Sequence, residues 1–254
     1  MNDPDCSLTE VGRVISADPA IALKALRLVN SAHYGLLHRV VSIEHAVMLL
    51  GLKVIRNLVL SAAVFQSFKK GTENLLEHCV SCGVAMRALL EVHGGNHPSD
   101  VENGFVYGLL HDVGKIIFME YFPLESQAVE EMSRNEGVPS FEAERCLIGC
   151  DHAEMGARLA YNWKLPGELV SAIAGHHDLD QCQDTQSARL AASLSVADFI
   201  CWASGLESIP RGASIRIASD MWDAAELTSK DIPPVLDRFF ASIPEIRELT
   251  DIAR

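Results

Sequence analysis

Apolar residues recur at threes and fours along almost the whole chain and strict alternation is nearly absent, so the pattern predicts helices and no sheet. Ser7-Leu8-Thr9-Glu10 has the Ser-x-x-Glu form of a capping box ahead of such a run. Asp18-Pro19 supplies an N-cap with proline at the first helical position, Ala22, Leu23, Leu26 and Val29 continue from Ile21, and Gly35 closes the unit. Ser42 opens a helix, IEHAVMLL, that stops at Gly51, and a further apolar helix runs over 53–68. Charge and glycine in KKGTEN, 69–74, mark a boundary. Beyond it the spacing predicts helices over 74–93, 101–119, 124–136, 140–148, 152–163, 167–178 and 186–204, with GGNHPSD, 94–100, as a loop. IPPVLDRFFASIPEIREL, near the end, reads as two short helices punctuated by prolines. The expected fold class is all-α, with a helical part over 1–70, a second over 71–205 and a C-terminal helical extension over 206–254.

Composition narrows this picture. With 254 residues and 48% hydrophobic side chains the chain can bury a sizeable core, which excludes general disorder. The apolar run from Leu58 to Phe68 is too short to cross a membrane, and the one from Leu190 to Leu206 is interrupted by Asp198. The start, MNDPDCSLTE, is acidic and polar, unlike a secretory signal. Seven cysteines, an odd number set mostly within apolar helical patterns, suit a reducing cytoplasm. Net charge is −13 and uneven: residues 1–70 hold eight Lys/Arg against five Asp/Glu, about +3, which leaves about −16 on the rest. So acidic a body disfavours nucleic acid as a partner, because phosphates need cationic side chains.

Candidate chemistry centres on GLLHDVGKI, 108–116. On a helix His111 and Asp112 sit about 100° apart, so both can lean towards one ion, and Lys115 shares their face. A lysine there can hold a phosphate beside a metal, or cap the carbonyls of its own helix. DHAEMGARLAYNWKLPGELVSAIAGHHD, 151–178, reads as two helices of nearly equal length about a Leu165-Pro166 turn, with Asp151 and Glu154 as a capping box. Folded as an antiparallel hairpin, it returns His176 and His177 to the neighbourhood of His152. Three imidazoles gathered there form a ligand set for a divalent metal. His78, in ENLLEHCVSCGVAMRALL, and Asp198, in the apolar context LSVADFICW, are further candidates; a charged Asp in such a helix is costly unless paired or bound to metal. Mixed imidazole and carboxylate donors suit Fe, Mn or Zn, as one or two ions, and Asp112 is placed to bridge two. The bland alternatives stand beside these: a buried His-Asp pair can satisfy itself, and Cys79-x-x-Cys82 and Cys146-x3-Cys150 read as packing cysteines. Trp163 and Trp202 read as core residues.

The order His78, His111-Asp112, His152, His176-His177, Asp198 resembles the HD superfamily of metal-dependent phosphohydrolases. The fuller pattern is similar to the HDOD family, the HD-related output domains of bacterial signalling proteins. It is carried by DPAIALKALRLVNSAHYG (18–35), SIEHAVMLLG (42–51), GLLHDVGKI and FEAERCLIGCDHAEMGARLAYNWKLPGELVSAIAGHHD (141–178), most of residues 7–200. The resemblance implies an HD-like helical bundle over 71–205 behind an N-terminal HDOD subdomain. It implies His78, His111, Asp112 and Asp198 around one metal, and His152, His176 and His177 around a second, with Asp112 between. It also implies a cytoplasmic signal-transduction output module that takes regulatory protein partners and a nucleotide or other phosphoester ligand, with no membrane. The alternative is a phosphohydrolase in which a metal-bound hydroxide attacks, Asp112 bridges and Lys115 steadies the phosphate. A metal-free hydrogen-bond network is the third reading.

There are two departures from the pattern. HD relatives that cleave cyclic dinucleotides carry Gly-Tyr-Pro shortly after the paired histidines, whereas HHDLDQCQDTQSARL follows here, so that activity is not supported. Family domains also usually begin with a helix ahead of the segment resembling DCSLTEV, so the first helix is expected to be missing here.

Overall fold

The computed structural model describes residues 15, 19–30, 36, 38–67, 72–93, 98–206 and 217–253. The capping box at Ser7 and Glu10, Asp18 and Gly35 lie outside them. In chain order the helices are α1 (Pro19–Val29), α2 (Ile43–Ser67), α3 (Glu73–Val92), α4 (Pro98–Leu110), α5 (Val113–Tyr121), α6 (Pro123–Glu136), α7 (Ser140–Leu147), α8 (His152–Asn162), α9 (Gly167–Gly175), α10 (Thr185–Ala203), α11 (Ser219–Ala224), α12 (Ile232–Ala241) and α13 (Ile243–Ala253). A single 3-10 turn, Leu179–Gln181, joins α9 to α10. The described residues contain no strand, so the fold is all-α. No helix among them is long and apolar enough to cross a membrane.

The chain divides into two compact units, Met1–Lys70 with Ser242–Arg254, and Gly71–Ala241. The residues after 205 are therefore shared: α11 and α12 belong to the larger unit and α13 to the smaller. In the smaller unit α1 and α13 pack on α2. Leu28, Val29, Ile43, Val47, Ile55, Leu58, Ile246 and Leu249 form its buried interior. Gly51 breaks α2 with φ 80° and ψ 156°, a conformation that costs glycine little and other residues more. Asn30 ties the end of α1 to the approach to α2. Its Nδ2 donates to the Leu26 and Val40 carbonyls at 2.7 Å, and its Oδ1 accepts from the Val40 N–H at 2.7 Å.

The larger unit is built around α3, most of which is buried, with α4, α10 and α12 against it. Helices α3 and α4 approach closely, so that a Cβ on Gly108 would overlap the Cys82 carbonyl and the Gly83 nitrogen. α8 and α9 form the antiparallel hairpin expected from 151–178, and α5 lies on α8. Three local expectations change. The helix expected over 101–119 is two, broken at His111-Asp112. Helix α4 begins within the expected GGNHPSD loop, at Pro98, since proline is well suited to a first helical turn. Cys146 and Trp163 are exposed rather than packed, because α7 turns Ala143 and Glu144 inward and Trp163 sits past the end of α8.

Candidate metal centre

The break between α4 and α5 places the His-Asp pair. Helix α4 ends at Leu110, His111 and Asp112 form the turn, and Asp112 precedes the first residue of α5. The pair thus does not lie on one continuous helix face, as 101–119 had implied. Two helix ends meeting at this point let both side chains aim into the same buried space, each with 1% of its surface exposed. Lys115, in the first turn of α5, donates from Nζ to Asp112 Oδ2 at 2.7 Å.

All seven residues singled out as metal candidates converge here. His78 Nε2, from α3, lies 3.3 Å from His111 Nε2, 3.1 Å from Asp198 Oδ1 on α10 and 3.5 Å from Asp112 Oδ2. On the other side of Asp112, His152 Nε2 at the start of α8 is 3.1 Å from Asp112 Oδ1 and 2.9 Å from His177 Nε2. Three sets offer ligand atoms within 4.8 Å of one another: His78, His111 and Asp198; His152, His176 and His177; and, between them, His111, Asp112 and His176. His78, His111, Asp112, His152 and His176 are buried, His177 is half-buried, and Asp198 and Lys115 keep 17% and 13% of their side-chain surface.

The outer nitrogens reveal how the rings are held. Nδ1 of His78 is 2.8 Å from the Leu206 carbonyl oxygen, Nδ1 of His111 2.6 Å from that of Gly108, and Nδ1 of His176 2.7 Å from that of Ile173. A carbonyl only accepts, so each Nδ1 carries a proton, and each ring turns Nε2 inwards, where its lone pair is free whenever the ring is neutral. His152 is oriented by a carboxylate instead: Glu144 Oε2 lies 2.6 Å from His152 Nδ1 and also accepts the His152 backbone N–H at 2.8 Å. That second bond satisfies an amide at the start of α8, as does Asp151, whose Oδ1 accepts from Glu154 N at 2.8 Å. Only this half of the expected capping box forms, because Glu154 turns its carboxylate to Arg158. His177 is held by stacking on Phe141, with ring centres 4.5 Å apart.

Sequence reasoning passed over Glu144 and Phe141, although both lie in a stretch it quoted. The available signal was a carboxylate beside Ala143 on the inward face of α7; what it meets there depends on where α8 begins, eight residues on.

Electrostatics divide the rings into two kinds. Burial opposes charge on His78, but its bond to Asp198 and the charges of Asp198 and Asp112 raise its pKa to about 9. Burial likewise opposes charge on His152, and the carboxylates of Glu144 and Asp112 raise it to about 9. Burial, with His111 and His152 nearby, drops His176 to about 3, and burial lowers His111 and His177. Burial works against the charge on both acids, yet His111, Lys115 and His152 hold Asp112 well below the usual carboxylate range, and His78 does the same for Asp198. Both acids are therefore anionic at neutral pH, and His78 and His152 would have to give up a proton to hold a metal here.

The residues fit a metal. His176 Nε2 is buried without a hydrogen-bond partner, an arrangement that is costly unless something fills the space it faces. Two imidazole Nε2 atoms 2.9 Å or 3.3 Å apart also need a proton or a cation between them. Five imidazoles and two carboxylates are donors for Fe, Mn or Zn rather than for Ca or Mg. A cleft of about 700 Å³ on the α8–α9 hairpin, lined by Arg145, Tyr161 and Gln181 among others, includes none of the seven.

A helical unit that gathers histidines and aspartates about a His-Asp pair at a helix break is of the HD type. The HDOD domain model matches residues 1–179, and the chain belongs to the HDOD domain family. An HDOD domain protein of unknown function from Geobacter sulfurreducens has a similar structure, with a TM-score of 0.74 and 26% identity over 100% of this chain and 88% of that one. A protein from Marinobacter aquaeolei VT8, provisionally named a signal transduction protein, matches with a TM-score of 0.73 and 20% identity over 99% of this chain and 56% of that one. In sequence, an uncharacterized protein of Treponema pallidum (strain Nichols) is 29% identical over 182 residues, 70% of this chain. The chain spans 35% of the length of that relative.

Proposed function

We propose that this chain is a signal-transduction output module of the HDOD type whose HD pocket binds one or two divalent transition-metal ions and, through them, a phosphorylated ligand. The observation that carries the reading is the set of Nδ1 tethers on His78, His111, His152 and His176. Rings fixed from behind, with Nε2 atoms turned to a common buried space, are preorganised for a cation, whereas a purely structural network leaves no polar atom unpaired. His78, His111, Asp112 and Asp198 would hold one ion and His152, His176 and His177 the other, with Asp112 between. Such ions supply Lewis acidity and charge for a phosphate. Lys115, pinned by Asp112 and drawn to the positive form by its charge against the opposing effect of burial, adds a fixed cation beside them. Membership of the HDOD family supports the output role, with regulatory proteins as partners. The name given to the Marinobacter protein agrees with it.

The second reading, a metal-dependent phosphohydrolase acting on a nucleotide or other phosphoester, is favoured by Asp112 alone. Its two oxygens face the two halves of the cluster, Oδ2 towards His78 and His111 and Oδ1 towards His152, as a carboxylate spanning two ions must. In that case Asp112 and Lys115 are the catalytic residues.

The test is elemental analysis of protein purified without chelator or metal-affinity tag, followed by a phosphoester screen on the loaded protein. One or two equivalents of Fe, Mn or Zn are expected; none, even after reconstitution, would sink the metal reading, and turnover would decide for the second one. Glu144→Gln should separate orientation from ligation. It keeps the size of the side chain but removes the anion behind His152, and metal affinity is expected to fall about tenfold, at the low end for such outer partners. Competition against a chelating dye reads this, and an unchanged affinity would mean that Glu144 only anchors α8.

A further inference from the structure

One cavity adjoins the cluster and plays no part in the reading above. It measures about 40 Å³ and lies on the larger unit among the start of α3, α5, α6 and the end of α7. Leu75, Phe118 and Val129 give it apolar walls, and each is at least 97% buried. Four polar side chains border the same space: Lys115, Glu144, Ser126 and Glu130. Lys115 and Glu144 are the two side chains that stand immediately behind the centre, one on Asp112 and the other on His152. Ser126 Oγ is buried and has no hydrogen-bond partner. A helical serine normally returns its hydroxyl to the carbonyl four residues back. Here the Phe122 carbonyl accepts the Ser126 backbone N–H at 2.8 Å, and the Ser126 side chain borders the cavity.

We propose that this cavity receives the organic group of a small phosphomonoester whose phosphate is held at the imidazole–carboxylate cluster beside Lys115. The proposal rests on the metal-and-phosphate reading and adds the class of ligand. Size comes first. A water-sized group needs about 10–15 Å³ of such volume, so 40 Å³ admits about three non-hydrogen atoms, an aliphatic stub and not a purine or pyrimidine ring. Polarity follows. The walls favour carbon, and Ser126 Oγ offers one hydrogen bond to a hydroxyl on that stub. The rim carries Glu130, which disfavours a second anionic group there. Placement completes the argument: Lys115 lines the cavity and bonds Asp112, so the proposal sets the phosphate on the cluster side of the ammonium and the alkyl chain on the cavity side. Apolar pockets with a few convergent polar groups are where proteins set ligand specificity.

The experiment is calorimetric titration of the metal-loaded protein with inorganic phosphate and with n-propyl phosphate. The propyl ester is expected to bind about tenfold more tightly than phosphate, a conservative share of what burying three carbons provides. Val129→Phe fills the cavity from its wall. Ser126→Leu fills it from the half-buried side, where the fold tolerates a larger side chain, and guards against a Val129 variant that fails to fold. Either variant is expected to bring the two affinities to within about twofold while metal content and phosphate affinity stay as they were. Equal affinities in the unaltered protein, or a propyl advantage that survives Ser126→Leu, would overturn the pocket and leave the metal centre standing. A metal-loaded protein that binds neither probe would overturn the phosphate reading and this proposal together.

Discussion

Asp112→Asn is expected to strip the protein of bound metal while leaving it helical. Asp112 contacts both halves of the cluster, 3.5 Å from His78 and His111 through Oδ2 and 3.1 Å from His152 through Oδ1. An amide presents one neutral oxygen in place of two anionic ones, so neither half keeps its charge balance, and the loss in affinity should exceed the roughly 100-fold upper end seen for outer-shell partners. Lys115 loses the anionic charge of Asp112 as well, at a cost of a few kcal/mol at most, since part of the ammonium reaches solvent. Elemental analysis read beside far-ultraviolet circular dichroism separates the two effects. A folded Asn variant with a full complement of metal would remove Asp112 from the centre. If the unaltered protein turns over a phosphoester, the same variant should abolish that turnover.

The second large effect belongs to Gly114, two residues on. A Cβ there would overlap the His152 carbonyl oxygen and lie 2.8 Å from its carbon and 2.9 Å from Gly156 N. These are backbone atoms of α8 and cannot turn aside as a side-chain tip can. Gly114→Ala must push α5 away from α8, which separates Asp112 from His152, and a cost of about 3 kcal/mol is expected for such overpacking. Gly167→Ala, at the first residue of α9, is the control. A Cβ there meets nothing within 4 Å, so that change should be neutral or stabilising by a few tenths of a kcal/mol. Urea unfolding of both variants tests the contrast, and a Gly114→Ala midpoint equal to that of Gly167→Ala would contradict the close approach. Because α5 and α8 carry opposite sides of the centre, the Gly114 variant should also lose metal in step with stability. A destabilising change remote from the site should not.

Much of the fold could be read from residue spacing, for reasons visible at particular positions. The stop at Gly51 was legible because a left-handed φ is a local property of glycine. The 151–178 hairpin was legible because Leu165-Pro166 interrupts two apolar periods of matched length, which brings His152 to His177 with little help from elsewhere. The helix expected over 101–119 failed at the residues that matter most. Nothing in GLLHDVGKI is a helix breaker in the way proline is, and the turn at His111-Asp112 exists because α4 is pinned to α3 at Gly108 and α5 to α8 at Gly114. Those are contacts between segments more than 20 residues apart.

By itself the sequence determined the helical class, the break near residue 70 and, by their order, the seven histidines and aspartates that meet. Each follows from local periodicity, or from residue types that have few other uses in a buried helix. Tertiary structure decided the rest: that Lys115 pairs with Asp112, that Glu144 stands behind His152, that backbone carbonyls of Gly108, Ile173 and Leu206 set the tautomers, and that a small apolar cavity adjoins them. A carbonyl has no residue type to betray it, and a cavity is the space several helices leave between them. Both come into being only when distant segments pack, which is why the clustered residues could be named from the chain and their geometry could not.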